Sequence, residues 1–393
     1  MVTRRRVLQG FAGAPLAGAL ASPALAQGAP ARIGLILPMT GPFASTGRQI
    51  EAAAKLYLAQ NPGPFGGRRI ELIVRDDTGT ADVTRRIAQE LIANERVAAI
   101  AGFGLTPLAF AAAPLATQSK TPMVVMAAAT SAITEQSPFI VRTSFTLPQA
   151  TIIIADWAAS NGLKKVMTIV SDYAPGLDAE RAFRERFPTK GGELVGDPLR
   201  VPVRNPDFSP FLQRVADAKP DALFVFVPSG VGAQFMKQFV ERGLDKAGTR
   251  LIGTGDVTDD DILADLGEPA VGVVTSHHYS AANPSPANQA YVRAFRQANP
   301  SMRPNFMSVG GYDGIHLIAE ALKKTNGTSD GQVLLDAMKG MSWTSPRGPV
   351  TIEARTRDIT QNIYIRRVER QNGELWNVEF ATFENVPDPI KGR

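Results

Sequence analysis

The sequence predicts an α/β fold built on doubly wound parallel sheets, and three observations lead to this class. Strand-like apolar runs alternate with amphipathic helical stretches along most of the chain, which is the pattern of βαβ units. Several of the runs are continuous in Val, Ile and Leu, as strands buried on both faces are. The length of 393 residues is sufficient for two domains of ordinary size.

The strand candidates follow one another in the order ARIGLIL, RIELIVRD, VAAIAGF, TPMVVMA, FIVRTSF, KKVMTIVS, DALFVFV and TRLIGTG. The helix candidates between them are 49–60, 80–94, 148–161, 179–187, 208–218 and 231–243. A Pro-, Ser- and Asn-rich stretch then interrupts the alternation, which predicts a domain boundary near 275–279. Two further helices, 287–298 and 306–324, precede a hairpin with its turn at Gln371-Asn372-Gly373-Glu374.

Residues 1–26 are predicted to be an export signal rather than part of the folded protein. Three arginines precede a short apolar run that ends in Ala24-x-Ala26, so cleavage is expected after Ala26. The stretch Thr3-Arg4-Arg5 is typical of twin-arginine signals, and an ordinary secretory signal is the alternative. Both predict a mature protein in the periplasm, and the absence of cysteine excludes acylation as a lipoprotein.

The composition excludes several kinds of functional site. The chain has no cysteine and three histidines, which excludes thiol nucleophiles and Cys-zinc sites and argues against a histidine-based metal site. His277 and His278 are adjacent, so they would point to opposite faces of an extended strand. The net charge of +5 becomes small once the leader arginines are removed, so no nucleic-acid partner is expected. No cofactor is predicted.

The turn after the third strand, in AAIAGFGLTPLA, is the first candidate binding element. Thr106 is predicted to cap the following helix and Pro107 to occupy its first position. Pro107 stands where a dinucleotide fingerprint needs its third glycine, and the acidic residue expected about 20 positions later is missing, which argues against NAD. A small carboxylate suits this turn and the turn MAAATSAIT better, because Thr106 and Thr130 can donate hydrogen bonds and Ala128 and Ala129 allow close approach. Helix capping alone is the alternative for both threonines.

Several long stretches carry a resemblance to a known family: IGLILPMTGPFASTGRQIEAAAKL, DDTGTADVTRRIAQELI, TPMVVMAAATSAIT, SDYAPGLDAERAF, PDALFVFVPSGVGAQFMKQF and RGPVTIEARTRD. They resemble the periplasmic solute-binding proteins of branched-chain amino-acid ABC transporters, the leucine/isoleucine/valine-binding family. The resemblance implies a type I periplasmic binding fold, in which two lobes joined by a three-strand hinge close on one ligand. The lobes would comprise 27–146 with 278–355, and 147–277 with 356–393. ABC permease subunits are the implied partner in the membrane, and a monomer is expected.

The same resemblance assigns roles to particular residues. Thr106 matches the hydroxyl donor to the ligand carboxylate. Ala128 and Thr130 match positions that clasp the carboxylate and the amino group through backbone and hydroxyl. Asp256 falls where the amino-acid binders carry a glutamate that pairs with the ligand ammonium, and a loop or capping carboxylate is the alternative.

The side-chain pocket is expected to differ from that of the leucine-type binders. Thr46 and Pro228 stand near the positions of cleft tyrosines in those proteins, and Ser229 follows directly. Tyr173 is the candidate for an aromatic wall, with Phe103 and Tyr279 as further candidates. Packing in the core or hinge is the alternative for Phe103 and Tyr279.

The resulting functional prediction is a receptor that captures a hydrophobic or aromatic amino acid and delivers it to an ABC importer. The alternative keeps the receptor and replaces the ligand with an aromatic carboxylate that has no amino group. A remote alternative is an exported oxidoreductase, for which the chain lacks intact cofactor and catalytic motifs. A sensor that signals without transport is not distinguished by the sequence.

Overall fold

The computed structural model describes residues 28–391 of the chain. It has the predicted α/β fold, with helices packed on two separate sheets. The predicted export signal, residues 1–26, lies outside the described residues. Between residues 28 and 391, no helix is long and apolar enough to cross a membrane.

The first lobe is formed by the first third of the chain. Its elements in order are β1 (Ala31–Leu37), α1 (Ala44–Gln60), β2 (Ile70–Asp76), α2 (Ala81–Ala93), β3 (Ala99–Gly102), α3 (Thr106–Ser119), β4 (Met123–Val125) and β5 (Ile140–Arg142). The strands pair in parallel in the order β2-β1-β3-β4-β5. The order reverses at β1, so a binding crevice is expected beyond the carboxyl ends of these strands.

The second lobe follows with the same alternation. Its elements are α4 (Leu147–Ser160), β6 (Lys165–Ser171), α5 (Ala174–Arg186), β7 (Glu193–Leu194), β8 (Leu199–Val201), α6 (Ser209–Ala218), β9 (Ala222–Phe226), α7 (Ser229–Glu241), β10 (Arg250–Thr254), α8 (Leu263–Leu266) and β11 (Val274–His277). The chain then returns to the first lobe with α9 (Pro286–Ala298), α10 (Phe306–Lys324) and α11 (Gly331–Met338). α9 and α10 pack on α1, and α11 packs on α10.

The larger sheet is completed by β12 (Ser342–Ser345), β13 (Gly348–Ile352), β14 (Ile359–Gln371) and β15 (Glu374–Val386). Its order is β12-β13-β14-β11-β10-β9-β6-β7, with β8 also paired to β6 and β15 to β14. Strands β6 to β11 are parallel to their neighbours among themselves, whereas β12 to β15 add antiparallel pairs. The predicted hairpin is confirmed, because Gln371 pairs with Glu374 across the turn Asn372-Gly373.

Within residues 28–391 the chain crosses between the lobes after β5, after β11 and after α11. The predicted division placed 278–355 in the first lobe. β12 and β13 lie in that segment and hydrogen bond with β14 of the larger sheet. The side chains of Trp343 and Arg347 nevertheless contact Asp313 on α10 of the first lobe. This segment therefore bridges the lobes, and the predicted boundary in it stays a prediction.

Two helices begin five residues earlier than their sequence pattern indicated. α1 starts at Ala44 rather than Gln49, and α5 starts at Ala174 rather than Ala179. A glycine lies inside the first turn of each of the two helices. A Cβ atom at Gly47 would be 2.4 Å from the Pro38 carbonyl oxygen, and one at Gly176 would be 1.8 Å from that of Ser171. Glycine therefore allows both helices to pack directly against the preceding strand ends.

A buried ion pair connects the crossings between the lobes. The Arg347 guanidinium contacts the Asp313 carboxylate at 2.6 Å, and both side chains are almost completely buried. Arg347 also donates hydrogen bonds to the backbone carbonyls of Thr143 and Ser144 and to the Gln361 side chain. The first crossing, α10 and β14 are thereby held by one side chain.

We expect Arg347→Met to lower the free energy of unfolding by about 3–5 kcal/mol, because it leaves the Asp313 carboxylate buried without a countercharge. Urea unfolding measures this difference. Arg370→Met is the matched control, since Arg370 and Glu268 form an ion pair that is largely exposed and is worth less than about 1 kcal/mol. Equal losses in the two variants would contradict the structural role of Arg347.

Candidate ligand-binding cleft

A cavity lies between the lobes at the carboxyl ends of their parallel strands. Apart from Met307, its lining residues end or closely follow β1, β3, β4 and β5 in the first lobe and β6, β9 and β10 in the second. This is the place where open α/β sheets bind ligands. The cavity is narrow in this arrangement: the centre of a water-sized sphere can occupy only about 20 Å³ of it, within about 390 Å³ of space between atoms that includes open solvent. The lining residues are Phe43, Thr46, Gly104, Leu105, Thr106, Ala127, Ala128, Ala129, Phe145, Leu147, Tyr173, Pro175, Phe226, Pro228, Ser229, Asp256 and Met307.

Thr106 lines the cavity at the amino end of α3. The helix begins at Thr106, so Leu105 holds the cap position in an extended conformation and Pro107 is the second helical residue. The prediction that Thr106 caps the helix is therefore wrong. The chain enters the helix through Gly102 and Phe103, which both have positive φ, and this turn ends one residue too early for Thr106 to cap. The buried Thr106 hydroxyl has no hydrogen-bond partner among the described residues, so it is available to a ligand.

In the turn after β4, two groups that were predicted to hold the ligand form hydrogen bonds within the protein. The Ala128 backbone N–H, expected to clasp a carboxylate, donates to the Phe103 carbonyl at 3.0 Å. The Thr130 hydroxyl donates to the carboxylate of Asp178 on α5 of the second lobe. Ala128 lines the cavity, whereas Phe103 and Thr130 lie outside its lining. In this closed arrangement the Ala128 N–H and the Thr130 hydroxyl are therefore both engaged within the protein. The Phe103 carbonyl links the end of β3 to the turn after β4.

Asp256 lies in a short 3₁₀ helix, Gly255–Thr258, directly after β10. The Thr254 hydroxyl donates to its carboxylate at 3.0 Å. Burial raises the pKa of Asp256 to about 7, although the Thr254 hydrogen bond and the positive charge of Arg366 oppose the shift. The lining given by the described residues includes no lysine or arginine. Asp256 is therefore a carboxyl group that exchanges its proton near neutral pH, with no cationic partner inside the cavity.

The two adjacent histidines pack against each other behind the cavity. Their ring centroids are 4.5 Å apart, and both rings contact the ring of Phe145. The expectation that they point to opposite faces is wrong, because β11 ends at His277 and His278 lies beyond the strand. Nε2 of His277 is 3.9 Å from Oδ2 of Asp256. Burial, together with two nearby arginine charges, lowers the pKa of His277 well below its usual value, so at neutral pH it adds no positive charge to the site.

Aromatic side chains form much of the cavity wall. Tyr173 and Phe226 stack with their ring centroids 6.0 Å apart and an interplanar angle of 17°. Burial, and then the negative charge of Asp256, raise the pKa of the Tyr173 phenol, so the phenol stays protonated. Sequence reasoning identified Tyr173 and missed Phe43, Phe145 and Phe226. Phe226 ends β9 and Phe145 follows β5, so their position at strand ends was the available signal.

Some of the site residues predicted from the sequence line the cavity and others lie outside its lining. Tyr279 is buried outside the lining, and its backbone carbonyl accepts a hydrogen bond from Arg366. No group of three or more histidine and acidic side chains within 28–391 is arranged to hold a metal ion. The predicted residues that line the cavity are Thr46, Thr106, Ala128, Tyr173, Ser229 and Asp256, and those outside its lining are Phe103, Thr130 and Tyr279. Their roles toward a ligand stay predictions.

We expect Thr106→Val to leave the free energy of unfolding unchanged or higher, because valine keeps the size and removes a buried hydroxyl without a partner. Thr84→Val is the matched control. The buried Thr84 hydroxyl donates to the Thr80 carbonyl at 2.9 Å and contacts the Asp77 carboxylate at 3.2 Å, so its loss should cost about 1–3 kcal/mol. Urea unfolding of both variants tests this, and a destabilised Thr106→Val variant would show that its hydroxyl supports the fold.

Comparison with known proteins agrees with this geometry. Residues 30–374 match the family model described as periplasmic binding protein. A curated relative, Leu/Ile/Val-binding protein homolog 6 of Brucella melitensis, is 43% identical over 364 residues, which cover 91% of this chain and 93% of the relative.

Solved structures extend the comparison. A solute-binding protein of an ABC transporter from Rhodopseudomonas palustris BisB5, in complex with 3,4-dihydroxybenzoic acid, is 60% identical with a TM-score of 0.90, covering 93% of this chain and 99% of that one. A second Rhodopseudomonas palustris solute-binding protein, in complex with 4-hydroxybenzoate, is 40% identical with a TM-score of 0.89 and the same coverage.

The lobes, the cleft at the strand ends and these likenesses lead to one assignment. The predicted type I periplasmic binding fold is confirmed, and so is the predicted role as a receptor. The chain belongs to the periplasmic binding protein family and is a solute-binding receptor of an ABC transporter.

Proposed function

We propose that the receptor binds an aromatic carboxylate of the hydroxybenzoate type. The observation that carries this proposal is the stacked pair Tyr173 and Phe226 in a cavity whose described lining has no cationic side chain. The relatives that were solved with 3,4-dihydroxybenzoic acid and 4-hydroxybenzoate support it. An aromatic ring gains from such walls because stacked or edge-to-face ring pairs add to the hydrophobic contribution.

In the proposed pose the ligand carboxylate lies at the amino end of α3. The Thr106 hydroxyl donates to it, and the helix dipole favours an anion at this end. The ring packs against the aromatic wall, and a ring hydroxyl reaches toward Asp256 and Tyr173 in the second lobe. A ligand held in this way contacts both lobes, so its binding favours the closed arrangement.

The cellular role follows from the family. We propose that the protein is exported to the periplasm by the leader 1–26, of twin-arginine type and cleaved after Ala26, and that it acts there as a monomer. It would deliver its ligand to the permease subunits of its transporter. The family match favours binding without catalysis over the oxidoreductase alternative.

A second candidate ligand is a hydrophobic or aromatic amino acid. The observation that favours it is Asp256, an acidic side chain in the cavity at the position where an ammonium is held in amino-acid binders. The name of the Brucella relatives agrees with this candidate. For such a ligand Asp256 would have to be ionised, which its burial opposes.

We expect 4-hydroxybenzoate and 3,4-dihydroxybenzoate to stabilise the mature protein in thermal unfolding, with leucine and phenylalanine giving no comparable shift. A ligand at 100 times its dissociation constant adds about 2.7 kcal/mol to the stability of the native state. Thr106→Val should weaken aromatic-acid binding roughly tenfold or more in calorimetry, because a hydrogen bond to a charged group contributes about 1.5–3 kcal/mol. Stabilisation by the amino acids alone would overturn the proposal.

We expect Asp256→Asn to bind 4-hydroxybenzoate as well as or better than the wild type, because the change removes a negative charge near an anionic ligand. An amino-acid ligand would instead lose the partner of a buried ammonium, at a cost of about 3–5 kcal/mol, or several hundredfold in affinity. Calorimetric titration of both proteins with 4-hydroxybenzoate, leucine and phenylalanine measures the difference.

The dependence on pH provides an internal check on the same carboxyl group. With a pKa of about 7, Asp256 is protonated below neutral pH and becomes ionised as the pH rises through 7. The affinity for an aromatic carboxylate should therefore fall as the pH increases from about 6 to 8, and Asp256→Asn should remove this fall. An affinity that rises over the same interval would indicate an ammonium partner.

A further inference from the structure

Asp178 and Asp261 are among the acidic residues of the second lobe that accept hydrogen bonds from the first lobe outside the cavity. Asp178 on α5 accepts from the Thr130 hydroxyl and, at 2.9 Å, from the Ser131 backbone N–H. Its other oxygen accepts from Arg181 of its own helix at 3.2 Å. Apart from this contact, the bonds recorded for the Asp178 carboxylate cross between the lobes.

The second such residue is Asp261, in the loop that follows Asp256. One of its oxygens accepts from the Ser45 hydroxyl, and the other accepts from the Gln49 side-chain amide at 2.9 Å. Ser45 and Gln49 are both on α1 of the first lobe. The two side-chain oxygens of Asp261 are therefore both occupied by donors from the opposite lobe.

Both contacts lie beside the ligand cavity without lining it. Ser45 precedes Thr46, and Thr130 follows Ala129, and these two neighbours line the cavity. On the side of the second lobe, Pro175 of α5 lines it three residues before Asp178. Neither Asp178 nor Asp261 is part of the lining. The two contacts therefore join the lobes outside the ligand site, and we expect them to break when the lobes separate.

We infer that Asp178 and Asp261 are positioning residues that set ligand affinity by stabilising the closed lobes. The ligand contacts both lobes only in the closed arrangement, a statement that rests on the proposed function. The measured dissociation constant is the intrinsic constant divided by the fraction of molecules that is competent to bind. Each aspartate raises that fraction, because opening exchanges its interlobe bonds for water. The Thr130 hydroxyl acts in this contact through Asp178.

This role has a signature that a ligand-contacting residue does not share. Removal of an interlobe contact lowers the affinity for every ligand by the same factor and leaves the preference between ligands unchanged. We expect Asp178→Ala and Asp261→Ala each to weaken binding of 4-hydroxybenzoate and 3,4-dihydroxybenzoate about tenfold, with a faster dissociation rate. Asp217→Ala is the matched control, since Asp217 is exposed and accepts from Gln213 within its own helix.

A double-mutant cycle identifies the partner of Asp178. Thr130→Val should weaken binding by part of the Asp178→Ala effect, since the Ser131 N–H still donates to Asp178, and the two changes together should weaken it no further than Asp178→Ala alone. Thr130→Ser retains the hydroxyl and should restore the affinity. Thr106→Val combined with Asp178→Ala should be additive, since Thr106 is proposed to contact the ligand itself.

The ligand-free protein tests the inference independently of the ligand. The chain has no cysteine, so one cysteine introduced on an exposed site of each lobe accepts spin labels without background. Pulsed electron resonance distances should show a larger open fraction in Asp178→Ala, Asp261→Ala and Thr130→Val than in wild type, Asp217→Ala and Thr130→Ser. An unchanged open fraction would overturn the inference. A larger open fraction in a protein that binds no aromatic acid would instead refute the proposed ligand and support the interlobe contacts.

Discussion

The arrangement of the lobes depends on Arg347, a buried cation that forms an ion pair and several hydrogen bonds with different segments of the chain. Its guanidinium is paired with Asp313 on α10 and donates to the carbonyls of Thr143 and Ser144 in the first crossing and to Gln361 on β14. A buried charge that loses such partners is far more costly than one that keeps them, so these segments are held together. Phe145 and Leu147 follow this crossing directly and line the cavity. The same ion pair that joins the lobes thus also positions part of the binding site.

A second buried arginine, Arg366 on β14, contributes to the electrostatics of the cleft from outside it. It donates to the carbonyls of Tyr279 and Gly255 and lies 3.9 Å from the Asp260 carboxylate. Its positive charge lowers the pKa values of Asp256, Asp260 and Glu379, but burial has the larger effect and the pKa of each is raised. Because the single positive charge of Arg366 acts on several buried acids, it does not offset the burial of Asp256, and the pKa of Asp256 stays near neutrality. A protonated Asp256 would be compatible with the anionic, ring-containing ligand that we propose.

Residues of the candidate site could be predicted from the sequence where their role follows from a position at the end of a strand. Thr106 was found because it follows a parallel strand of an α/β sheet, where ligands bind, and Asp256 was found through the resemblance to amino-acid binders. Both line the cavity. Phe226 and Phe145 occupy equivalent positions and were missed, since a phenylalanine at a strand end also reads as core. Thr130 fits the same rule, but its hydroxyl is bonded to Asp178. Whether a hydroxyl is free or engaged depends on a residue 48 positions away, and the sequence pattern does not contain that information.

The sequence by itself determined the α/β class, the order of most strands and helices as far as β10, the closing hairpin and the strand ends at which a site could form. These features depend on local periodicity and on the side chains of residues that are neighbours in sequence, and both are present in the chain before it folds. The tertiary structure alone decided that the first turns of α1 and α5 include glycines packed on strand ends, that the Ala128 amide is engaged, and that burial raises the pKa of Asp256. It also decided that Ser45 meets Asp261, 216 residues later in the chain. Contacts of this kind arise only when the two lobes come together, because they join residues that no local stretch of sequence contains.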